Sequence, residues 1–265
     1  MPRLRDFDLA RHLADPALKP RFVTPMFDLV APRYDEFTRV FSFGMDRPWK
    51  RELVTAARAH APAARTVLDV ACGTGDIAFA MAAAYPGAAV RGVDASARML
   101  ALARRRASHD GGRNAGVVFE PGDLADLPAD DASCDLVTAG YAFRNAPAVA
   151  PAVAEAARVL RPGGILAVLD FYRPALAPWR VAFTWYLQAA GNLVGWWWHR
   201  EPLAYGYIAH SVRAHDTVAE FSARLEGAGF DVLEVRTHLG GGIALHLARR
   251  RAPAPHPIVH QPFSR

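Results

Sequence analysis

From Arg65 onward, short apolar runs alternate with segments of helical period. Residues 66–71 read as a strand, 77–85 as an alanine-rich helix, and 88–93 as a second strand ending at Asp94. A helix over 96–108 follows, with Ser96 placed as its N-cap. The Gly111-Gly112 turn leads to a third strand at 117–120, and 135–141 is a fourth. A helix over 148–160 closes at Pro162-Gly163-Gly164, and the fifth strand, 165–171, is almost wholly apolar and therefore buried on both faces. This alternation predicts an α/β fold with a doubly wound, mostly parallel sheet. The last third adds a helix over 214–228 with Gly229 just past it, then strands at 230–236 and 243–248. The run Gly240-Gly241-Gly242 makes their connection antiparallel.

The flanks read differently. Residues 1–22 are charged and proline-punctuated, a lead-in helix or a loose arm. Residues 22–49 are rich in aromatics yet carry prolines and helical spacing, so they form either a helical cap over a cleft or a plain packing helix; 49–60 continues as an amphipathic helix. Between the fifth strand and the last helix, residues 181–198 carry no formal charge and include Trp185, Trp196, Trp197 and Trp198. That length only reaches the lower limit of a membrane span, and Gln188, Asn192 and two glycines weaken it further. An apolar lid or an interfacial helix is expected instead. The chain after Arg250 is proline- and histidine-rich and is expected to be disordered.

Composition narrows the class. The chain has 265 residues, 52% of them hydrophobic and 22% charged, which suits one globular domain with an insertion. The net charge of +5 permits contact with an anionic surface without requiring it; the arginine clusters at 104–106 and 249–251 close secondary elements, so no nucleic-acid partner is expected. Two cysteines, Cys72 and Cys134, suit a reducing compartment, and the start of the chain carries Arg3, Asp6 and Asp8 without an apolar signal segment. The protein is therefore expected in the cytoplasm, with peripheral contact at the inner membrane face through residues 179–198, and with homodimerisation as another use of that apolar segment.

The candidate chemistry begins at Val67-Leu68-Asp69-Val70-Ala71-Cys72-Gly73-Thr74-Gly75-Asp76-Ile77-Ala78, an apolar run ending in a glycine-rich turn that opens a helix. Such a turn lets a nucleotide-type cofactor approach the backbone and meet free N–H groups. Gly73-x-Gly75-x-x-Ala78 also fits a dinucleotide fingerprint, with Asp94 lying 19 residues past Gly75 where a ribose-binding acid is expected. Three later features favour a methyl donor. Gly122-Asp123-Leu124 places an acid after the third strand, Tyr141-x-Phe143-Arg144-Asn145 puts a polar cluster at the carboxyl edge of the sheet, and Arg158-Val159-Leu160-Arg161-Pro162-Gly163-Gly164 precedes the buried fifth strand. No Asn/Asp-Pro-Pro-aromatic clamp for a nucleobase follows the fourth strand.

With those motifs residues 65–249 resemble the class I methyltransferases. More closely, 22–249 resemble the ubiquinone/menaquinone-biosynthesis C-methyltransferases of the UbiE/MenG type. That likeness rests on Met26-Phe27-Asp28-x-Val30-Ala31-x-x-Tyr34-Asp35, Ser42-Phe43-Gly44 with Trp49, Phe143-Arg144-Asn145, Val168-Leu169-Asp170-Phe171 and Tyr205-x-Tyr207-Ile208-Ala209-x-Ser211-Val212-Arg213-x-His215. Departures are Phe37-Thr38 for the family's Met-Asn, Asp46 for a histidine, Arg161 for a lysine, Asp170 for a glutamate, His210 for an acid, and the tryptophan-rich 179–200. The resemblance implies a Rossmann-like methyltransferase sheet with an antiparallel C-terminal strand. It divides the chain into a helical cap (1–64), a cofactor-binding domain (65–249) with an apolar lid at about 175–213, and a tail (250–265). It implies S-adenosylmethionine as cofactor, held by Asp69, Gly73, Thr74, Gly75, Asp94, Ala95, Met99, Asp123, Leu124 and Gly140, with no metal. The implied acceptor is a reduced, prenylated quinol ring, activated by Arg144 and Asn145 through a water with Tyr34 closing the site; another aromatic or polyketide-like acceptor is the alternative. Arg144 has a second reading as a structural bridge to Asp170 or Asp135, and His210 and His215 are candidate bases.

Overall fold

The computed structural model of the chain describes residue 4, residues 7–109 and residues 116–252. Among these, one sheet holds β1 (Thr66–Val70), β2 (Ala89–Asp94), β3 (Val117–Pro121), β4 (Cys134–Gly140), β5 (Leu160–Phe171), β6 (Phe230–His238) and β7 (Ile243–Arg250). The order is β3-β2-β1-β4-β5-β7-β6. Pairs from β3 to β5 are parallel, while β7 runs antiparallel to β5 and β6. The strand order reverses between β1 and β4, the position outside whose carboxyl ends ligands bind in open α/β sheets.

Helices precede and cover the sheet. In chain order they are α1 (Leu9–Ala14), α2 (Lys19–Val30), α3 (Tyr34–Phe41), α4 (Asp46–His60), α5 (Asp76–Ala84), α6 (Ala97–His109), α7 (Val149–Val159), α8 (Ala177–His199), α9 (Leu203–Ala214) and α10 (Val218–Gly227). Leu53, Ile77 and Leu100 bring α4, α5 and α6 onto one face of the sheet, against Val67, Val90 and Leu136. Val153, Phe221 and Leu225 bring α7 and α10 onto the other, against Leu68, Val137 and Leu166. A third cluster joins α2 and α3 to α8 and α9 through Phe22, Met26, Phe37, Phe183, Leu187 and Tyr205, with the Tyr205 ring stacked 3.7 Å from Phe37.

Helix α8 shows why its sequence looked unlike a strand or a span. Its buried stripe is Phe183, Thr184, Leu187, Gly191 and Gly195. The two glycines let α9 approach backbone to backbone: a Cβ at Gly191 would lie 2.7 Å from the Tyr205 carbonyl oxygen, and one at Gly195 2.6 Å from that of Glu201. The opposite side leaves Trp185, Trp196 and Trp197 at 69%, 52% and 71% exposure. Among the described residues, no helix is long and apolar enough to cross a membrane.

Several boundaries differ from the sequence expectation. The helix expected from residue 214 starts at Val218, because Ala214 ends α9 and Thr217 caps the new helix, accepting from Glu220 N–H at 3.3 Å while Glu220 accepts from Thr217 N–H at 2.7 Å. Strand β5 starts at Leu160 and runs through Pro162-Gly163-Gly164, with a register shift against β4 between Cys134 and Leu136, rather than starting at Ile165. Arg250, placed in the tail by the sequence reading, pairs with Phe230 at the end of β7. The Gly111-Gly112 turn and residues 253–265 lie outside the described residues.

Candidate active site

The turn after β1 is held in left-handed backbone at Ala71 (φ 50°), Gly73 (φ 55°) and Gly75 (φ 90°). Gly75 also starts α5, and a Cβ there would come 2.8 Å from Phe119 and 2.9 Å from Phe79. Its glycine is therefore demanded by backbone and packing. Asp94, at the end of β2, accepts from Gly73 N–H and from Ser96 N–H, each at 2.8 Å, so one carboxylate clamps the turn to the start of α6. Burial pushes its carboxyl above the usual range. Each oxygen keeps accepting capacity beyond those two bonds. Ser96 caps α6 as its sequence suggested, accepting from Met99 N–H at 3.1 Å.

A cavity of about 750 Å³ opens here. Seven of the residues assigned to a cofactor from sequence line it: Gly73, Asp94, Ala95, Met99, Asp123, Leu124 and Gly140. Val23, Thr24 and Phe27 of α2, with Tyr34 of α3, form its roof. Gly140 faces Ile77 so closely that any Cβ would run into it. Asp69 and Thr74 instead line an adjoining space of about 340 Å³, together with Lys50, Asp76 and Tyr34. Gly75 lines neither.

That adjoining space is polar and charged. Asp69 is buried, accepts from the Thr138 hydroxyl at 2.7 Å through Oδ1, and leaves Oδ2 without a partner. Burial pushes its carboxyl up to about 7, against the Thr138 bond that pulls it down. Lys50 Nζ lies 2.8 Å from Asp46 Oδ2 and 3.0 Å from Asp76 Oδ2. Burial alone would discharge it, but these two carboxylates raise its pKa and keep it positive. A buried acid lacking a donor beside a fixed cation suits a zwitterionic amino-acid end, and the large cavity with Asp94 suits a nucleoside. The residues fit S-adenosylmethionine.

Two acids of the N-terminal helices tie the roof to this floor. Asp28 Oδ1 accepts from the Ser96 hydroxyl at 2.5 Å, and its carbonyl accepts from Arg98 at 3.1 Å. Asp35 accepts from the Thr74 hydroxyl at 2.6 Å and from Arg106 at 3.2 Å. Thr74, assigned to the cofactor from sequence, thus commits its hydroxyl to Asp35.

A second cavity of about 510 Å³ shares Phe27, Tyr34 and Tyr141 with the first. Its wall is aromatic and aliphatic, and its charged groups are Asp46 and Arg144. Arg144 is 5% exposed. Its Nε lies 3.3 Å from Asp170 Oδ1, and its Nη1 donates to Asn145 Oδ1 at 3.0 Å and to the Tyr207 and Ser211 hydroxyls at 3.1 Å each. The bridge to Asp170 is therefore real, while Asp135 pairs with Arg161 at 2.6 Å. Burial pushes the Asp170 carboxyl up to about 6, and the Arg144 charge opposes this and holds it ionised. Asn145 Oδ1 also accepts from Tyr207 at 2.8 Å. Tyr34 faces all three spaces so far described, and burial raises its phenol pKa well above the ordinary value. Lys19, which sequence reasoning missed, donates to the Arg144 carbonyl at 2.9 Å, and burial with the Arg144 charge pushes it down to about 8.

The second cavity continues through Phe41, Ser42, Trp49 and Phe171 into an apolar groove of about 760 Å³ under α8, lined by Trp179, Phe183, Tyr186 and Leu187. The candidate bases His210 and His215 line none of these spaces. His215 is buried against Tyr172, and desolvation pushes it down to about 3. Asp46 entered the sequence reading only as a departure from a family histidine, and Lys50 escaped it; a Lys four residues after an Asp is the ordinary signal of a helix-surface pair.

The profile of the ubiE/COQ5 methyltransferase family matches residues 16–250. The chain is 39% identical over 212 residues to the demethylmenaquinone methyltransferase of Deinococcus radiodurans, covering 80% of this chain and 86% of that one. It is 35% identical over 237 residues to the ubiquinone/menaquinone biosynthesis C-methyltransferase UbiE of Syntrophotalea carbinolica, covering 86% and 94%. Among solved structures, a SAM-dependent methyltransferase of Thermotoga maritima, described as a possible histamine N-methyltransferase, shares the fold with a TM-score of 0.56 at 20% identity, covering 85% and 100%. The dinucleotide reading of the glycine turn falls with these matches. This chain belongs to the ubiE/COQ5 methyltransferase family, and it is an S-adenosylmethionine-dependent methyltransferase of the class I fold.

Proposed function

We propose that this protein methylates a ring carbon of a reduced, prenylated quinol, a demethylmenaquinol or a ubiquinone precursor. One observation carries the reading: the nucleoside-sized cavity, the aromatic pocket holding Arg144 and the apolar groove under α8 share walls in that order. A cofactor, a ring and an isoprenoid tail would fill them in sequence. The names of the relatives point the same way.

S-adenosylmethionine supplies a methyl group on a sulfonium, already a strong electrophile, so the protein's task is chiefly alignment. In our assignment Asp94 takes the ribose hydroxyls, Asp123 and the Leu124 backbone meet the adenine edge, and Met99 and Ala95 pack against the base. Asp69 meets the methionine ammonium and Lys50 its carboxylate. A phenol ionises near pH 10, so the ring carbon becomes nucleophilic at neutral pH only if its oxyanion is favoured. Arg144, kept charged and aimed by Asp170, Asn145, Tyr207 and Ser211, supplies that fixed charge. Tyr34 closes the boundary between cofactor and ring. Residues 1–64 act as the cap and 175–213 as the lid over the tail. The exposed tryptophans of α8 support contact with a membrane surface, from which such a substrate would be drawn.

Labelled S-adenosylmethionine with demethylmenaquinol tests the reading. Label should enter the quinone with the wild-type protein and fall at least 100-fold with Arg144→Ala. Cofactor binding without transfer sends the acceptor to another aromatic or polyketide-like molecule, and loss of cofactor binding alone rejects the cavity assignment. Vesicle sedimentation with Trp185→Ser/Trp196→Ser/Trp197→Ser tests the membrane contact; a wild-type dimer that this variant breaks would instead make the face a homodimer interface.

A further inference from the structure

Asp46 opens α4 and is 5% exposed. Its backbone N–H donates to the Ser42 hydroxyl at 3.0 Å, and its Oδ2 lies 2.8 Å from Lys50 Nζ. Its Oδ1 has no partner at all. A carboxylate oxygen with no donor in an aromatic pocket is a costly arrangement. Lys50 neutralises the charge but leaves that oxygen idle, on a residue that lines the same cavity as Arg144. Within the protein the Tyr141 phenol is the donor drawn to this carboxylate, and a hydroxyl bound in the cavity would compete for the same oxygen.

Elimination sharpens the point. Among the described residues, the wall of that cavity includes no histidine and no carboxylate besides Asp46. Arg144 is held above its already high pKa, burial notwithstanding, and its Nη1 is committed to Asn145, Tyr207 and Ser211, so it favours an anion but does not take a proton. Burial lifts the phenols of Tyr34, Tyr141, Tyr205 and Tyr207, and for Tyr141 the Asp46 carboxylate adds to the lift. Lys50 remains protonated.

We propose that Asp46 is the general base of the methyl transfer, taking the proton of the acceptor's ring hydroxyl through its unpartnered Oδ1. This rests on the quinol reading above. The hydroxyl O–H bond breaks as an Asp46 O–H forms. The ring carbon bonds to the methyl group as the carbon–sulfur bond breaks and leaves a neutral thioether. The ring C–H proton departs to water, and Asp46 returns its proton to the oxygen. Quinol and base are restored, and one proton is released per turnover. Arg144 stabilises the charge that this transfer creates.

The test compares wild type, Asp46→Asn and Asp46→His, with kcat for demethylmenaquinol, cofactor Kd by calorimetry and the pH profile of kcat. Asp46→Asn should lower kcat by about 100- to 1000-fold, within the usual range for a general base, with cofactor Kd within about threefold of wild type. Asp46→His should recover part of that rate and carry its acid limb upward, because imidazole ionises near pH 6.5 and a carboxylate near 4 in water. Of the charged and titratable groups facing residue 46 (Lys50, Tyr34, Tyr141, Arg144 and Tyr207), Lys50 loses the carboxylate that raises its pKa and Tyr141 the one that lifts its phenol in both variants alike, so a limb that differs between Asp46→Asn and Asp46→His belongs to residue 46. Asp46→Asn with kcat within threefold of wild type overturns the proposal. So does a loss of kcat matched by an equal loss of cofactor affinity, which would make Asp46 only a holder of Lys50, or a His variant whose acid limb stays in place. If the wild-type protein itself transfers no methyl group to the quinol, the acceptor reading fails and the role of Asp46 falls with it; if wild type is active and only the Asp46 expectations fail, the acceptor reading stands.

Discussion

Asp69→Asn separates the cost of a buried charge from its use. In the folded protein the Asp69 carboxyl is pushed from the ordinary 3.8 up to about 7. At 1.36 kcal/mol per unit, charging it in place costs about 4 kcal/mol more than in the unfolded chain. Between about pH 4 and 7 the folded state holds a proton that the unfolded state has released, so this group makes stability fall as pH rises and then level off. Asparagine keeps an acceptor for Thr138 and removes the charge, but its amide nitrogen replaces an oxygen that already lacked a partner, at a cost of about 1–3 kcal/mol. The cofactor-free variant should then gain roughly 1–3 kcal/mol at pH 8, about 3–10 °C in Tm at this size, and gain nothing at pH 5. Asp170 contributes a slope of the same sign to both proteins and drops out of the difference. Thermal melts from pH 5 to 8.5 read the effect, and calorimetry should show cofactor affinity reduced at least tenfold at pH 8. A Tm difference that does not change with pH would refute the reasoning, since Asp69 would then ionise normally.

Gly75→Ala must hold a side chain at φ 90° against Phe119 and Phe79, and should lose about 1–3 kcal/mol, seen as a lower Tm. Arg144→Lys should cut kcat at least tenfold, because one ammonium cannot meet Asp170, Asn145, Tyr207 and Ser211 together; steady-state kinetics with unchanged cofactor Kd would show this. Asp28→Ala removes the acceptor of the Ser96 hydroxyl, and faster proteolysis between α1 and α3 with weaker cofactor binding is the expected result.

The strands were legible because buried parallel strands write themselves as unbroken apolar runs, and the turn after β1 because Gly73 and Gly75 mark a sharp strand-to-helix connection. The start of α10 was misplaced because helical spacing runs on from α9 through His215 and Asp216; the capping pair Thr217 and Glu220 was there to be seen. Strand β5 began early because Leu160 already pairs with Cys134 and the ladder resumes at Ile165, across an irregularity holding a proline and two glycines that punctuate most sequences. The lid helix was placed at 181–198, and it extends to Ala177–His199 because Pro178 is tolerated in a first turn. What no pattern could give is which distant residues meet. The idle oxygen of Asp46, the pairing of Lys50 with both Asp46 and Asp76, and the bonds from Asp28 and Asp35 to the cradle all depend on packing between elements far apart in the chain.

Those last two bonds set a rule for building hybrids of this protein with its relatives. A crossover placed between His60 and Thr66 would look harmless, since it falls between α4 and β1 and leaves the sheet whole. It would nevertheless part Asp28 from Ser96 and Arg98, and Asp35 from Thr74 and Arg106. A junction beyond Arg106 inherits both acids with their partners. Chimeras that exchange quinol preference should therefore take the first hundred-odd residues as one block, roof and floor together.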